Sequence, residues 1–152
     1  EASTAGVQGE LVVRGNCSLV TGIAGISENI HINGIIDRYL EHSRIFIFAN
    51  GGEEKYYIGS ADWMPRNLDN RIEVLAPVYD KEIQADLKRI VCYGYRDTAK
   101  GRIVDGTGEN RPWENRPSTL CKDFTPALAE AETATVVFRS QEELYRKYKN
   151  TL

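Results

Sequence analysis

Histidine, cysteine and methionine are scarce in this 152-residue sequence, at two, three and one residues. Cys17, Cys92 and Cys121 are an odd number, far apart and without a CxxC pair. They suggest reduced thiols in a cytoplasmic protein, not a disulfide frame or a zinc site. No apolar run approaches the ~20 residues of a membrane-spanning helix, and no signal-peptide pattern is present. Charge of neither sign dominates: 19 Lys and Arg face 22 Asp and Glu, for a net charge of −3. A broad nucleic-acid or membrane surface is thereby disfavoured, so an anion site must be a local cluster of arginines. The Gly-rich stretch after Arg14 lacks a GK[ST] ending, which excludes a P-loop. No metal-ligand spacing is present, and there is no internal repeat. The first residue is Glu1 with no initiator Met, and a fragment of a larger protein is the simplest explanation.

What is present is ordinary globular material, 41% hydrophobic and 27% charged, enough for one domain with a core of its own. Gly9 to Arg14 (GELVVR) reads as a first strand, and 15–33 as a long Gly-rich connection. Ile35 to Glu41 has the spacing of a short helix. Arg44 to Ala49 (RIFIFA), apolar on both alternating faces, reads as a strand covered on both sides. Arg71 to Ala76 predicts another strand, ended by Pro77. Asp80 is a candidate N-cap for a helix with Ile83, Leu87, Ile90 and Val91 on one face. Residues 98–125 read as irregular covering or mobile loop. Ser140-Gln141-Glu142-Glu143 fits a capping box opening a last helix.

The chemistry gathers around His42, at the mouth of the RIFIFA strand. His42 and Arg44 are two residues apart and so share a face. Asn50-Gly51-Gly52-Glu53 is a turn signal, and a two-residue turn at Gly51-Gly52 makes paired positions sum to 103. Tyr57 then faces Phe46, Gly59 faces Arg44 and Ala61 faces His42, so Ser60 and Asp62 arrive beside the histidine. With Arg14, Arg66, Asn67 and Arg71, these form a set of cations, imidazole and hydrogen-bonding groups at strand ends. Guanidinium forks bind phosphate oxygens and imidazole carries protons, so phosphoryl chemistry would explain the set. Each member also has an ordinary reading. His42 could be a satisfied polar group, Arg14 and Arg71 surface ion-pair residues, and Ser60 and Asp62 turn caps. Trp63 and Met64 read as core, His31 as a solvated side chain, and the pairs Glu53-Glu54 and Glu142-Glu143 as a turn tip and a helix N-terminus.

Three segments together resemble a known family: VRGNCSL (13–19) with GISENI (25–30), IIDRYLEHSRIFIFANGG (35–52) and GSADWMPRNLDNRIEV (59–74). The sequence is similar to the C-terminal catalytic region of bacterial polyphosphate kinase, an ATP:polyphosphate phosphotransferase that autophosphorylates on histidine. The similarity runs from about Ala5 to Leu87 and more weakly to the end. Within it, H-x-R…G-S-x-D looks like a modified H-x-K…G-S-x-N half-site of the phospholipase D-like fold, with Arg44 and Asp62 at the changed positions.

The resemblance implies a mixed α/β (α+β) fold, a phospholipase D-like half with a mixed sheet flanked by helices. It would be a single domain over 1–152, with its core at about 5–95 and a covering loop and C-terminal helix over 96–152. It implies reversible transfer of the ATP γ-phosphate to polyphosphate through a phosphohistidine in the preceding half, so that this fragment alone would be inactive. His42 would be the acid/base partner. Arg14, His42 and Arg71 would bind ATP phosphates, supported by Arg44, Ser60, Asp62 and Asn67. Magnesium would be held by residues outside the chain, and no metal residue falls within it. ATP, ADP and polyphosphate are the implied partners, with the remaining domains of the same enzyme, a homo-oligomer, and no nucleic acid. The place would be the cytoplasm, free or peripheral to the inner membrane. Two other readings stay open: a phospholipase D-like phosphodiesterase or nuclease with one half-site per chain of a dimer, and a polyanion-binding module without chemistry.

Overall fold

The computed structural model describes residues 1–15, 17–114, 116–122 and 137–149. It has two compact units, Glu1–Glu41 with Ile90–Leu152, and His42–Arg89.

The first unit is built on a mixed sheet of order β1-β2-β6. Strand β1 (Gly9–Val13) runs parallel to β2 (Ile30–Ile35), and β6 (Gly101–Ile103) pairs antiparallel on the other side of β2. The predicted first strand is therefore found. The predicted helix over 35–41 is not: Ile35 closes the central strand and 36–41 are non-helical. β2 lies inside what reads in the sequence as a long loop, and β6 inside the predicted irregular segment, whose last residues, 123–125, lie outside the described set. Burial decides the outcome, since Ile32 and Ile35 are each 1% exposed and form the core with Tyr95, Trp113 and Phe138. The Tyr95 and Trp113 rings meet edge-on at 5.1 Å, as do Tyr93 and Phe138 at 5.3 Å.

A fully buried polar knot ties this unit together. Asn33 of β2 donates through Nδ2 to the carbonyls of Gly94, Tyr95 and Asp97 at 3.1, 3.3 and 3.1 Å. It thus serves two carbonyls in the last turn of helix α2 (Lys81–Tyr95) and one just beyond it. Asp97 in turn accepts from the backbone N–H of Lys100 and from both the backbone N–H and hydroxyl of Ser140. The capping box predicted for α3 (Ser140–Tyr148) consequently does not form. The Ser140 hydroxyl serves the buried carboxylate, and Asp97 takes the place of a local cap.

Cys92 and Cys121 form a disulfide in this unit, which corrects the expectation of three reduced thiols; Cys17 is free and exposed. Both paired cysteines are fully buried.

Asp37, whose side chain is 1% exposed, is gripped by Arg139: Nε donates to Oδ2 at 2.9 Å and Nη2 to Oδ1 at 2.6 Å. Hydrogen bonding from this guanidinium holds the Asp37 carboxyl below its ordinary value of 3.8, against the opposing effect of burial. A folded-state pKa below the unfolded one gives stability that is complete above the unfolded value and lost as pH falls through the folded one. Asp37→Asn should therefore cost about 2 kcal/mol at neutral pH, by loss of a charge-assisted pair. The gap from wild type should narrow below about pH 4. Urea midpoints at pH 7 and pH 3 measure this, and equal stability at pH 7 refutes it.

The second unit is an antiparallel sheet of order β3-β4-β5: β3 (Ile45–Phe48), β4 (Lys55–Gly59) and β5 (Leu75–Val78). Its hairpin register is the one read from the sequence, with Ile45 opposite Ile58, Phe46 opposite Tyr57, and Phe48 opposite Lys55. The loop closes differently from the predicted two-residue turn. Asn50–Gly52 form a 3₁₀ turn, and Asn50 and Gly51 both take positive φ. β5 begins later than predicted and contains Pro77, opposite Tyr57. An edge strand tolerates a residue without an N–H, so Pro77 does not end it. β3 is half-buried instead of covered on both faces, and Phe48 is exposed. Trp63 is likewise no core residue: it is 73% exposed and stacks on Phe46 at 5.5 Å, with Met64 exposed beside it in sequence. The Asp80 cap is found as predicted, its Oδ1 accepting from Glu82 and Ile83 at 2.9 and 3.1 Å. Glu54, expected at a turn tip, instead receives Lys88 at 2.9 Å and the buried Tyr56 hydroxyl.

Candidate functional site

The site is assembled by the β3–β4 hairpin within the second unit. The ladder continues past β3, because the Gly59 N–H donates to the Arg44 carbonyl at 2.9 Å. That bond fixes the segments beyond the strands, with His42 and Arg44 on one arm and Ser60 and Asp62 on the other. Gly59 leaves little room at the crossing. A Cβ there would come within 3.1 Å of Leu75 Cδ1 and 3.3 Å of Phe46 Cε2.

Arg44 is the hub. Its Nε donates to Asp62 Oδ1 at 3.2 Å and its Nη2 pairs with the same oxygen at 3.0 Å. Its Nη1 donates to the His42 carbonyl at 2.8 Å and lies 2.8 and 3.0 Å from the two ring nitrogens of His42. Arginine can only donate, so a ring nitrogen bonded to it must offer a lone pair. The Arg44 and Asp62 side chains are only 16% and 21% exposed, a setting that favours the pair over one at the open surface. His42 itself is exposed, and so reachable by a ligand.

A second cluster stands beside the first. The Ser60 hydroxyl donates to Glu73 Oε2, and Asn67 Nδ2 to Glu73 Oε1 at 2.9 Å. Ser60 Oγ also accepts from the Val74 N–H at 3.0 Å. Asn67, 3% exposed, sits on the single-turn helix α1 (Pro65–Leu68), and its Oδ1 has no hydrogen-bond partner among the described residues. Glu73 is held below the ordinary carboxylate range, first by Ser60, then by Asn67, with Arg71 and Arg44 adding their charges. Through Glu73 the two clusters share one electrostatic neighbourhood.

Of the residues singled out from the sequence, His42, Arg44 and Asp62 are brought into direct contact, and Ser60 and Asn67 meet on Glu73. Arg71 is exposed and acts on Glu73 through charge; Arg66 is exposed on α1. Arg14 is half-buried just after β1 and belongs to the other unit. Glu73 escapes the sequence reading because it occupies a polar position of the alternation in RIEVLA. The signal for it was a carboxylate two residues after an arginine in a cluster otherwise rich in cations. No group of three or more His, Cys, Asp and Glu fit to hold a metal occurs among the described residues.

His31 corrects another expectation. It is half-buried on β2, opposite Glu10, and its Nδ1 lies 3.2 Å from Arg116 Nη1. Burial first, and then the Arg116 charge, lower its pKa, with Glu10 opposing.

The chain is similar to known polyphosphate kinases. The polyphosphate kinase of Escherichia coli K12 is 48% identical over 137 residues, covering 86% of this chain and 20% of that protein. The polyphosphate kinase of Thermosynechococcus vestitus is 44% identical over 136 residues, covering 89% and 17%. The crystal structure of polyphosphate kinase from Porphyromonas gingivalis superposes with a TM-score of 0.78 at 39% identity, covering 99% of this chain and 20% of that one. The mixed α+β, phospholipase D-like fold class expected from the resemblance is thus the one found. The chain spans about a fifth of the length of the relatives it matches. The family model described as polyphosphate kinase C-terminal domain 2 matches residues 1–122, and the chain belongs to that family.

Proposed function

We propose that this chain is the C-terminal phosphoryl-transfer domain of a longer polyphosphate kinase. In that enzyme the ATP γ-phosphate passes, through a phosphohistidine carried by a preceding half, to the end of a polyphosphate chain, and the reaction is reversible. The observation that supports it most is the joining of His42, Arg44 and Asp62 on one hairpin, in a chain of this family. His42 gives or takes the proton on the ADP oxygen as the phosphoryl group moves. Asp62 holds one edge of the Arg44 guanidinium and leaves Nη1 turned to the imidazole, so Arg44 orients the ring. Arg14 and Arg71 hold phosphate oxygens as charge spreads over them in the transition state. Ser60, Asn67 and Glu73 brace the return arm of the hairpin.

The carboxylates of this cluster do not fit magnesium. Asp62 is committed to Arg44, and Glu73 to Ser60 and Asn67. The ion that accompanies ATP is therefore assigned to residues outside this chain, and no step here passes through it. No helix among the described residues is long and apolar enough to cross a membrane. We place the enzyme in the cytoplasm, free or at the inner membrane surface, as a homo-oligomer acting on ATP, ADP and polyphosphate and on no nucleic acid. The relatives reported above are named as kinases, which leaves the phosphodiesterase and the simple polyanion binder without support.

Titration of tripolyphosphate against the Trp63 indole signal tests the phosphate role of Arg71. The variant Arg71→Gln should weaken the response roughly tenfold, the loss of one charge-assisted phosphate contact. Arg71 is exposed, so the fold should be unaffected. An unchanged titration would count against the assignment.

A further inference from the structure

A second place in the molecule has the chemistry of an anion site, and it lies in the other unit. A cleft of about 400 Å³ is lined by Ile30, His31 and Ile32 of β2 together with Ile103, Trp113 and Arg116. Four charged side chains line it besides His31: Glu28, Asp105, Arg111 and Arg116.

Three of these are already engaged. Asp105 accepts from the Thr107 hydroxyl at 2.8 Å and the Thr107 N–H at 3.0 Å, and it is paired with Arg111. Arg111 also reaches Glu109 at 3.3 Å. Glu28 accepts from the N–H of Gly25 in its own turn. Glu10, opposite His31 on β1, bonds Ser118 and Thr119.

Arg116 is different. Its Nη1 lies 3.2 Å from His31 Nδ1, and its guanidinium stands over the Trp113 ring at 5.7 Å. Neither partner carries negative charge, and among the described residues no carboxylate pairs with it. A cation resting on an imidazole and an indole keeps its attraction for an anion almost intact. The contact also fixes the histidine. Arg116 can only donate, so Nδ1 accepts and the ring proton sits on Nε2, giving the cleft lining a second donor.

We propose that this cleft binds a phosphate-type oxyanion, with the Arg116 guanidinium as its counter-ion and the His31 Nε2–H as a second donor. The cleft belongs to the first unit, and the proposal does not depend on the function assigned to the His42 cluster. The same oxyanion could come from free phosphate or from a polyphosphate chain.

Indole N–H signals of the ¹⁵N-labelled chain provide the test, since Trp113 lies under Arg116 while Trp63 belongs to the other unit. Inorganic phosphate and tripolyphosphate are titrated at constant ionic strength. The Trp113 signal should move saturably, and Arg116→Gln should raise the midpoint roughly tenfold. Arg116→Lys should fall between, because it keeps the charge and loses the fork. Arg71→Gln should leave the Trp113 titration unchanged, so that this site and the hairpin site succeed or fail separately. Equal midpoints for the two ligands assign the cleft to a single phosphate group, and a much lower one for tripolyphosphate assigns it to the chain. The proposal is overturned if Trp113 does not respond to either ligand, responds equally to chloride, or titrates alike in Arg116→Gln.

Discussion

Replacing His42 by Ala in the full-length enzyme should slow phosphoryl transfer by about two to four orders of magnitude, the range for loss of a positioned proton carrier. Both directions should suffer, since the group that protonates the leaving oxygen in one direction deprotonates the attacking oxygen in the other. Binding of ADP should change little, because Arg14 and Arg71, the residues proposed to hold its phosphates, remain. The expected signature is therefore a fall in kcat with KM nearly preserved. His42 is exposed and sits outside β3, so the fold has little to lose. The 152-residue chain alone should show no ATP-dependent chain growth with or without the substitution, because the proposed phosphohistidine lies elsewhere. A full-length variant that keeps its rate within about threefold would remove His42 from the chemistry, since such a change is under 1 kcal/mol of barrier. Growth of polyphosphate by the isolated chain would remove the two-half architecture.

The largest effect on stability is expected at Gly101, the first residue of β6. A Cβ built there falls 2.1 Å from the Asp97 carbonyl oxygen and 2.4 Å from Asn33 Oδ1. Both atoms belong to the buried knot that closes α2 and anchors α3, so neither can withdraw into solvent. Gly101→Ala should cost about 3 kcal/mol, at the upper end for overpacking, and lower the urea midpoint accordingly. The clash has two sources, which sharpens the test. Trimming Asn33 to Ala in the same chain should not restore stability, because the Asp97 carbonyl is backbone and stays. A loss below about 0.5 kcal/mol, the range of ordinary surface changes, would show that the knot yields easily.

Much of the site was legible in the sequence because its order is local. The alternation in RIFIFA and the glycine pair after Asn50 set a hairpin register that the structure reproduces pair for pair. His42, Arg44, Ser60 and Asp62 followed from it by counting. The elements that escaped depend on distant partners. β2 carries His31 and Asn33 among its isoleucines, so its pattern is mixed, and only its pairing with β1 and β6 makes it a strand. Ile35 and Ile36 then fell into a helical spacing that burial overrides. The Ser140 hydroxyl left its expected cap for Asp97, 43 residues away in sequence. The Cys92–Cys121 bond spans 29 residues with no local signature. Glu73 was hidden for a related reason: its role is fixed by Ser60 and Asn67, and neither is its neighbour in the chain.

The hairpin divides this region into parts that tolerate changes of length differently. Beyond the last pair, Phe48 with Lys55, a Cβ added to Gly51 or Gly52 would meet nothing within 4 Å. Residues inserted at that tip would leave every rung of the ladder in place. Between the tip and His42 the tolerance ends. One residue added or removed there reverses which side of the sheet the side chains beyond it occupy, and would break the chain of contacts from the imidazole through Arg44 to Asp62. The tip is accordingly the place in this unit to graft a tag, a reporter or a cross-linking group without disturbing the cluster. The same division gives aligned relatives a physical rule for their gaps: they belong at the tip, and an odd-length gap between it and the histidine marks a chain that has lost this side-chain cluster.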